Sequence, residues 1–441
     1  MRRAGLFAVL LGVFAFGASA AAAPLPAPAG VTLVEQPDPA ADLVGTEVLL
    51  QAGLDRQTPR QNGLAALVAE TILHTPVSSS SGSGRAQSLL DAISANGGSL
   101  TYVVEPRHVR FYLEGLASGF ASSLSMFHGA LVKPDFSSET LKAARSALDE
   151  KIAQNQRLAL SVGIDMLNRA FYQNSDAGMP PYGMPQTISG FSSGDAKAFY
   201  GEHYRRGDAV LSVIGNTAAA TGANFTELAD GLPAGTSAPI TVRMATLPSN
   251  SQQIIARRDV PVPWLVAQYP APDMRSKDFG AMLILTAFMQ RTLGDVSEVP
   301  AIATRGAAQR GVGAFYNFDT YPANVIIYVD GGLGDPTRTF ATALTVVNVL
   351  GHAKLGGDLT EMKAFAAGRF LEDTQTMQDR AWLAGVFAAR HENGDYLATI
   401  LKAIDSTTAT DLQRVAGRYL GAPTIALVLP RSQPTVQNPT P

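Results

Sequence analysis

The sequence predicts an α+β fold of two similar domains, each a mainly antiparallel sheet covered by helices. One observation is length, because 441 residues exceed what a single hydrophobic core usually serves. Another is repetition: an order of strands, helices, a hairpin, more helices and a final strand occurs twice, each time over roughly 200 residues. Repetition on this scale indicates duplicated domains instead of a solenoid of short repeats.

The composition describes a folded globular protein. Hydrophobic residues make up 46% of the chain and charged residues 16%. The formal net charge of −3 provides no basic excess to offset phosphates, so no nucleic acid partner is expected. The chain has no cysteine, and its stability must therefore rest on its core and interfaces without disulfides.

Residues 1–22 have the pattern of a secretory signal peptide. Arg2 and Arg3 precede the apolar run "AGLFAVLLGVFAFG", and "ASA" at 18–20 is a small-residue cleavage signal. A membrane anchor is the alternative, but the run is shorter than the roughly 20 residues that a helical span needs. We expect an exported protein, periplasmic or secreted, with no membrane span after cleavage. A Pro/Ala spacer follows at 23–30.

The first predicted domain covers residues 31–240. The strands "VTLVEQ" and "LVGTEVLLQAG" lead into a helix from Gly63 to about Leu73, which is followed by a flexible Ser/Gly loop at 78–84. The helix in "RAQSLLDAISANGG" ends at its two glycines. Apolar and polar residues alternate along both "SLTYVVEP" and "RHVRFYLEGL", and these two strands are predicted to pair as a hairpin. The buried strand "AVLSVIGN" completes the domain after further helices near 117–131, 138–157, 160–173 and 194–204.

The second predicted domain covers residues 241–430 and follows a linker in the later part of 216–250. It repeats the order of the first with the strands "SQQIIARRD" and "WLVAQYPAP", then a long helix over 276–294 and another helix. The strand pair "GVGAFYNFDT" and "ANVIIYVDGG", several helices and the strand "TIALVLP" complete the domain. The tail at 431–441 is predicted to be disordered.

The stretch "NGLAALVAETILHTPV" contains the helix that bears on function. One stripe of this helix can pack on a sheet, and the adjoining face carries Ala66, Ala69, Glu70 and Leu73. A His-x-x-Glu-His motif would place its two imidazoles on that adjoining face, four residues apart, with the glutamate between them.

On these residues the chain resembles the insulinase/pitrilysin/mitochondrial processing peptidase family of zinc peptidases, whose inverted motif reads "GLAHFLEH". In that register the first histidine falls on Ala66, the catalytic glutamate on Ala69 and the second histidine on Glu70. The segment "LKAARSALDEKIAQNQ" resembles the helix of the third zinc ligand, which the resemblance places at Glu150. The segments "LLDAISANGGSLTYVVEPRHVRFYLEGL" and "PYGMPQTISGFSSGDAKAFYGEHYRRGDAVLSVIGN" are also similar to the family, and the likeness covers roughly residues 30–430.

The resemblance implies a zinc site from which essential residues are missing. A catalytic zinc needs about three protein ligands and a general base, but Ala66 and Ala69 can neither bind metal nor take a proton. We therefore expect no cofactor in this chain. Glu70 is expected to be a solvated helix residue and Glu150 a half-exposed partner of an Arg or Lys.

Two other arrangements stay open. Glu70 and Glu150 could hold a hard cation weakly, since carboxylates suit such ions. His74 follows Glu70 by four residues and could join both in an unconventional zinc site if the helix continued to residue 75. Pro76 argues against that continuation.

Two residues of the second domain are candidates for substrate contact. In the family that the chain resembles, an arginine and a tyrosine seven residues apart hydrogen-bond the substrate carbonyl. One register puts the tyrosine position at Arg310 and the arginine at Ala303; the other puts them at Tyr316 and Gln309. Neither register gives the intact pair, and Arg310 and Tyr316 remain the candidates.

The resemblance implies a non-catalytic, insulinase-like subunit that closes a peptide chamber with a homologous zinc-bearing subunit. An edge strand, either the first strand or the hairpin at 99–115, could pair with an extended peptide. One alternative is a structural or scaffold protein of the same fold. Another is a hydrolase with unconventional metal ligands.

Overall fold

The computed structural model describes nine segments: 31–78, 87–172, 175–239, 250–296, 311–320, 322–331, 336–352, 358–390 and 395–431. Several sequence predictions fall outside these segments. They are the signal peptide and spacer, residues 79–84 of the Ser/Gly loop, the domain boundary at 240, the helix expected before the second hairpin, Arg310, and the tail beyond residue 431. The domain limits therefore stay a prediction.

The first sheet has five strands in the order β1-β7-β2-β6-β5. Only β1 and β7 run parallel, and the remaining neighbours are antiparallel. A separate two-stranded sheet pairs β3 with β4. The strands are β1 (Thr32–Pro37), β2 (Leu43–Leu50), β3 (Pro76–Val77), β4 (Gln87–Ser88), β5 (Ser99–Val104), β6 (Val109–Leu116) and β7 (Val210–Gly215).

Seven helices occupy the described part of the first half. They are α1 (Leu64–Leu73), α2 (Leu89–Ala95), α3 (Phe120–Val132), α4 (Ser138–Arg157), α5 (Ala159–Phe171), α6 (Pro185–Ile188) and α7 (Ser193–His203). Side-chain caps fix several starts; the Ser137 hydroxyl, for example, accepts the Thr140 amide at the beginning of α4. The predicted helix limits agree with the structure to within a few residues.

The second half repeats this plan with a five-stranded sheet in the order β10-β11-β9-β12-β8. Here β8 and β12 run parallel, and the other neighbours are antiparallel. Its strands are β8 (Gln252–Arg258), β9 (Trp264–Ala271), β10 (Val312–Asn317), β11 (Ala323–Asp330) and β12 (Thr424–Pro430). Its helices are α8 (Phe279–Val296), α9 (Pro336–His352), α10 (Leu359–Asp373), α11 (Met377–Ala389), α12 (Tyr396–Ser406) and α13 (Ala409–Tyr419). The predicted fold class is confirmed.

The two halves exchange one helix in each direction. Helix α5 of the first half packs on β9 and β12 of the second sheet, and α11 of the second half packs on β1, β2 and β7 of the first. A glycine lies at each contact. A Cβ atom added at Gly163 of α5 would lie 2.5 Å from Val266 Cγ2, and one added at Gly385 of α11 would lie 2.6 Å from Leu49 Cδ1. Each helix therefore needs glycine to approach its sheet.

A buried charge cluster lies near the contact with α11. Arg110 on β6 bonds the Glu47 carboxylate on β2 at 2.9 Å and the Glu105 carboxylate at 2.7 Å. Its guanidinium also lies 5.8 Å from the ring centroid of Trp382 on α11. Burial raises the pKa of Glu47 to about 7, although Arg110 lowers it. The guanidinium is thus the counter-charge for two carboxylates that have little access to water.

No helix in the described segments is long and apolar enough to cross a membrane.

Candidate functional site

The candidate site is built on α1, which is buried along its whole length. Its start is fixed by Gln57, whose side-chain oxygen accepts the amides of Gly63 at 3.0 Å and Ala65 at 3.2 Å. Gly63 has a φ of 108°, a left-handed conformation that favours glycine. The helix ends at Leu73, so the extension to residue 75 does not occur.

The three motif positions on α1 hold no metal-binding constellation. Ala66 and Ala69 are fully buried and belong to the hydrophobic core of the first half. Glu70 is also buried, with 4% of its surface exposed, so the expectation of a solvated helix residue is wrong. A carboxylate this deeply buried requires compensating partners.

The Glu70 carboxylate has two hydrogen-bond partners, and His74 lies close to it. The Tyr102 hydroxyl on β5 donates to Glu70 Oε1 at 2.9 Å, and the Lys151 ammonium on α4 bonds the same oxygen at 3.2 Å. His74 Nδ1 lies 3.5 Å from Glu70 Oε2 and 2.9 Å from the Glu70 backbone oxygen. Burial, followed by the charge of Glu70, raises the pKa of Tyr102 well above its ordinary value, so its hydroxyl remains a donor.

Two aromatic rings complete the surroundings of Lys151. Its Nζ lies 3.9 Å from the ring centroid of Tyr102 and 5.1 Å from that of Tyr182. The two rings are nearly perpendicular, at 88°, with centroids 6.2 Å apart. Both distances are within the range in which an aromatic face attracts a cation. We call Glu70, Tyr102, Lys151 and Tyr182 the ammonium cluster.

Glu150 is not part of this cluster. It is exposed and accepts a hydrogen bond at 3.3 Å from Gln154, one turn further along α4, instead of pairing with an Arg or Lys as expected. One residue along a helix turns the side chain by about 100°. Helix α4 does pack on α1, but it is Lys151 and not Glu150 that contacts Glu70.

These residues do not fit a zinc ion. Within the described segments, no three His, Asp or Glu side chains are grouped so that they could hold a metal. His74 lies beside Glu70, but Glu150 does not join them. The position that both helices face contains the ammonium group of Lys151, which repels cations and has no lone pair to offer. Metal-activated hydrolysis has no support in this donor set.

A polar cavity of about 400 Å³ adjoins the ammonium cluster through Tyr182. Its walls include Asp165 and Arg169 of α5 together with Arg258 of β8. Burial raises the pKa of Asp165 to about 6, against the lowering effect of Arg169. Neither this cavity nor the roles of Lys151, Tyr102 and Tyr182 could be predicted from the sequence. Only the tertiary contacts bring these distant segments together.

Of the two substrate-contact candidates, only Tyr316 is described. Its hydroxyl donates to the backbone carbonyl of Pro272, and its ring packs 5.9 Å from Phe279 and 5.7 Å from Phe318, measured between centroids. Burial raises its pKa well above the ordinary value. Tyr316 thus has a packing role in the core of the second half, and its contact with substrate stays a prediction.

Strand β5 lies at an edge of the first sheet, beside the ammonium cluster. The Glu105 amide donates to the His108 carbonyl at 2.8 Å, so these two residues form a hydrogen-bonded pair. Hydrogen-bonded and non-hydrogen-bonded pairs then alternate along the two strands of the hairpin. By that alternation, Ser99, Thr101 and Val103 bond β6, whereas the backbone groups of Leu100, Tyr102 and Val104 face away from it. In the described segments β6 is the only strand beside β5.

Comparison with known proteins confirms the predicted resemblance. The family model of insulinase (peptidase family M16) matches residues 32–183. An uncharacterised zinc protease of Bacillus subtilis, YmxG, is 22% identical over 187 residues, which make up 42% of this chain and 44% of that protein. The chain thus matches less than half the length of this curated relative.

Solved structures share the fold over nearly the whole chain. The M16 peptidase inactive domain from Pseudomonas fluorescens has a TM-score of 0.70 at 15% identity, covering 93% of this chain and 98% of its own. A protease from Helicobacter pylori has a TM-score of 0.72 at 16% identity, covering 92% and 99%. At these identities the likeness shows the fold, which is that of M16 peptidase-like proteins.

Proposed function

Because this chain carries an insulinase-family domain, we propose that it is a non-catalytic subunit of a heteromeric peptidase. In this role it forms one wall of a chamber whose other wall is a homologue with an intact His-x-x-Glu-His motif. The homologue supplies zinc and the general base, and this chain contributes peptide-binding surface. We also propose that this assembly lies outside the cytoplasm, because residues 1–22 have the pattern of a signal peptide.

One observation carries the proposal: an M16 peptidase-like fold surrounds a position at which the described residues form no group of metal ligands. Both sheets and their helices are present, yet Ala66 and Ala69 are buried methyl groups and Glu70 is paired with Lys151. A zinc hydrolase needs an open metal position and a general base, and Ala66, Ala69 and the paired Glu70 offer neither. The label of inactive domain given to the Pseudomonas fluorescens structure applies to that protein, and it is compatible with this role.

The edge of β5 provides the surface for a peptide. An extended peptide that adds to a sheet edge obtains its affinity mainly from backbone hydrogen bonds, so the catalytic residues are not needed for binding. The backbone groups of Leu100, Tyr102 and Val104 point away from β6, but these residues are only 3–4% exposed, so the peptide pairs here only after the groups that cover this edge move aside. The substrate class is therefore an unstructured peptide.

The experiment is a mixing assay with the motif-bearing homologue from the same cell. We expect this chain alone to be inert towards unstructured peptides and the mixture to exceed the peptidase activity of either chain. If Arg310 or Tyr316 stabilises the developing oxyanion, replacing it lowers turnover of the mixed complex by about 10-fold or more. Failure to form a complex with a homologue that is fully active alone would refute the partner role.

Amide hydrogen exchange tests the peptide surface separately. Peptide bound to the mixed complex should slow exchange at Leu100, Tyr102 and Val104. The amides of Thr101 and Val103 already bond β6 and serve as internal controls. Equal protection at all five amides, or at none, would argue against pairing at this edge.

A further inference from the structure

The space between α1 and α4 is filled by a cation that belongs to the chain itself. Lys151 Nζ on α4 lies 3.2 Å from Glu70 Oε1 on α1. These are the two helices to which the resemblance assigns zinc ligands. We propose that the Lys151 ammonium is an internal cation that takes the place of the metal ion, holds α1 to α4 and closes the site to external divalent cations. This inference does not depend on the proposed partner role.

The charge balance of the cluster requires such a cation. The Glu70 side chain is only 5% exposed, and a carboxylate at that depth is costly unless it is paired and hydrogen-bonded. The Tyr102 hydroxyl supplies a hydrogen bond without charge. Lys151 supplies the positive charge, and its long side chain allows it to do so from the neighbouring helix.

The aromatic rings make the cluster selective for a primary ammonium group. Tyr102 and Tyr182 present two nearly perpendicular ring faces around Nζ, while Glu70 accepts one of its N–H donors. Ring faces and a carboxylate together are the chemistry that recognises alkylammonium ions. A small, strongly hydrated divalent ion would instead need several oxygen or nitrogen lone pairs.

The remaining groups provide few such lone pairs. His74 Nδ1 lies 2.9 Å from the Glu70 carbonyl oxygen, and this bond requires the nitrogen to act as the donor. With Lys151 in place, an incoming metal would meet one carboxylate, no free Nδ1 lone pair and a like charge. The cluster is therefore occupied, and its occupant repels an incoming cation although the Lys151 side chain is 33% exposed.

The first test empties the site without reversing its charge. Lys151→Ala leaves a space matched by n-propylammonium, which has the same length as the deleted atoms. At roughly 100 mM, we expect this ion to raise the thermal unfolding midpoint of the variant by about 1–2 °C, because it binds only the folded state. The same concentration of n-propanol or sodium chloride should raise it less. The shift should be absent in the native chain and in Glu70→Gln/Lys151→Ala. A variant that responds equally to propylammonium and propanol would overturn the proposal.

The second test inverts the charge. Lys151→Glu places two carboxylates beside His74, and we expect Mn²⁺ to bind this variant at least about 10-fold more tightly than the native chain. Lys142→Glu adds the same charge at an exposed position of α4 and should leave Mn²⁺ affinity unchanged. Equal Mn²⁺ affinity of folded Lys151→Glu and Lys142→Glu would count against an internal cation at this position. If Lys151→Glu does not fold, the propylammonium result on Lys151→Ala decides.

Discussion

Replacing Arg110 with methionine should strongly destabilise the fold of the first half. The change keeps a long side chain but removes the counter-charge of Glu47, which is fully buried, and of Glu105, which is 15% exposed. Removing one partner of a buried ion pair costs about 3–5 kcal/mol, mostly because the other charge is left unpaired. We expect Arg110→Met to lower the free energy of unfolding by about this amount at pH 8.

Urea unfolding followed by tryptophan fluorescence measures the loss, since Trp382 lies beside the guanidinium. The cost should shrink at pH 5, because the unpaired carboxylates then take up protons and become neutral. Adding Glu47→Gln to Arg110→Met should recover part of the lost free energy of unfolding at pH 8, because a neutral side chain at position 47 needs no counter-charge. A cost below about 1 kcal/mol at pH 8, or one that is unchanged at pH 5, would show that the cluster does not need its cation.

Three further predictions concern single positions. Burial raises the pKa of Glu47 from 4.5 to about 7, so the native chain should gain stability relative to Glu47→Gln as the pH falls from about 7 to 4.5; a constant difference in urea midpoint would contradict this. Gly385→Ala forces a methyl group towards Leu49, and this overpacking should lower the free energy of unfolding by about 1–3 kcal/mol. The higher helix propensity of alanine should offset up to about 1 kcal/mol of that loss. Gly201→Ala on α7 meets nothing within 4 Å and should be neutral or stabilising, and equal effects of the two alanines would refute the close-approach argument. Purified protein should carry no stoichiometric zinc by elemental analysis after dialysis, whereas about one zinc per chain that is lost on Glu150→Ala would overturn the assignment of this site.

Much of the architecture could be predicted from the sequence because it follows from local patterns. Apolar alternation and turn residues located the strands, and the final strand was predicted at Thr424–Pro430, as observed. The repeated order of elements gave the two-sheet plan. The exchange of α5 and α11 was not predicted, because the periodicity of a helix shows which face is apolar but not which sheet covers it.

The candidate site shows where sequence reasoning stops. The resemblance assigned the third ligand position to Glu150 on α4, but Glu150 is exposed and it is the next residue, Lys151, that contacts Glu70. Glu70 was expected to be solvated because glutamate usually is. Its burial depends on Tyr102 and Lys151, which lie 32 and 81 residues away in sequence. Contacts at such separations leave no local signal.

The exchanged helices also determine whether one half of the chain can be separated from the other or replaced. Since α5 covers the second sheet and α11 the first, a half separated from its partner would expose an apolar sheet face to water. A protease cut in the segment 216–250 should therefore leave two fragments that elute together in size-exclusion chromatography. Replacing one half with that of a homologue would have to match two helix–sheet contacts at once, including the glycines at 163 and 385. The two halves should therefore be exchanged between homologues only together, as one unit.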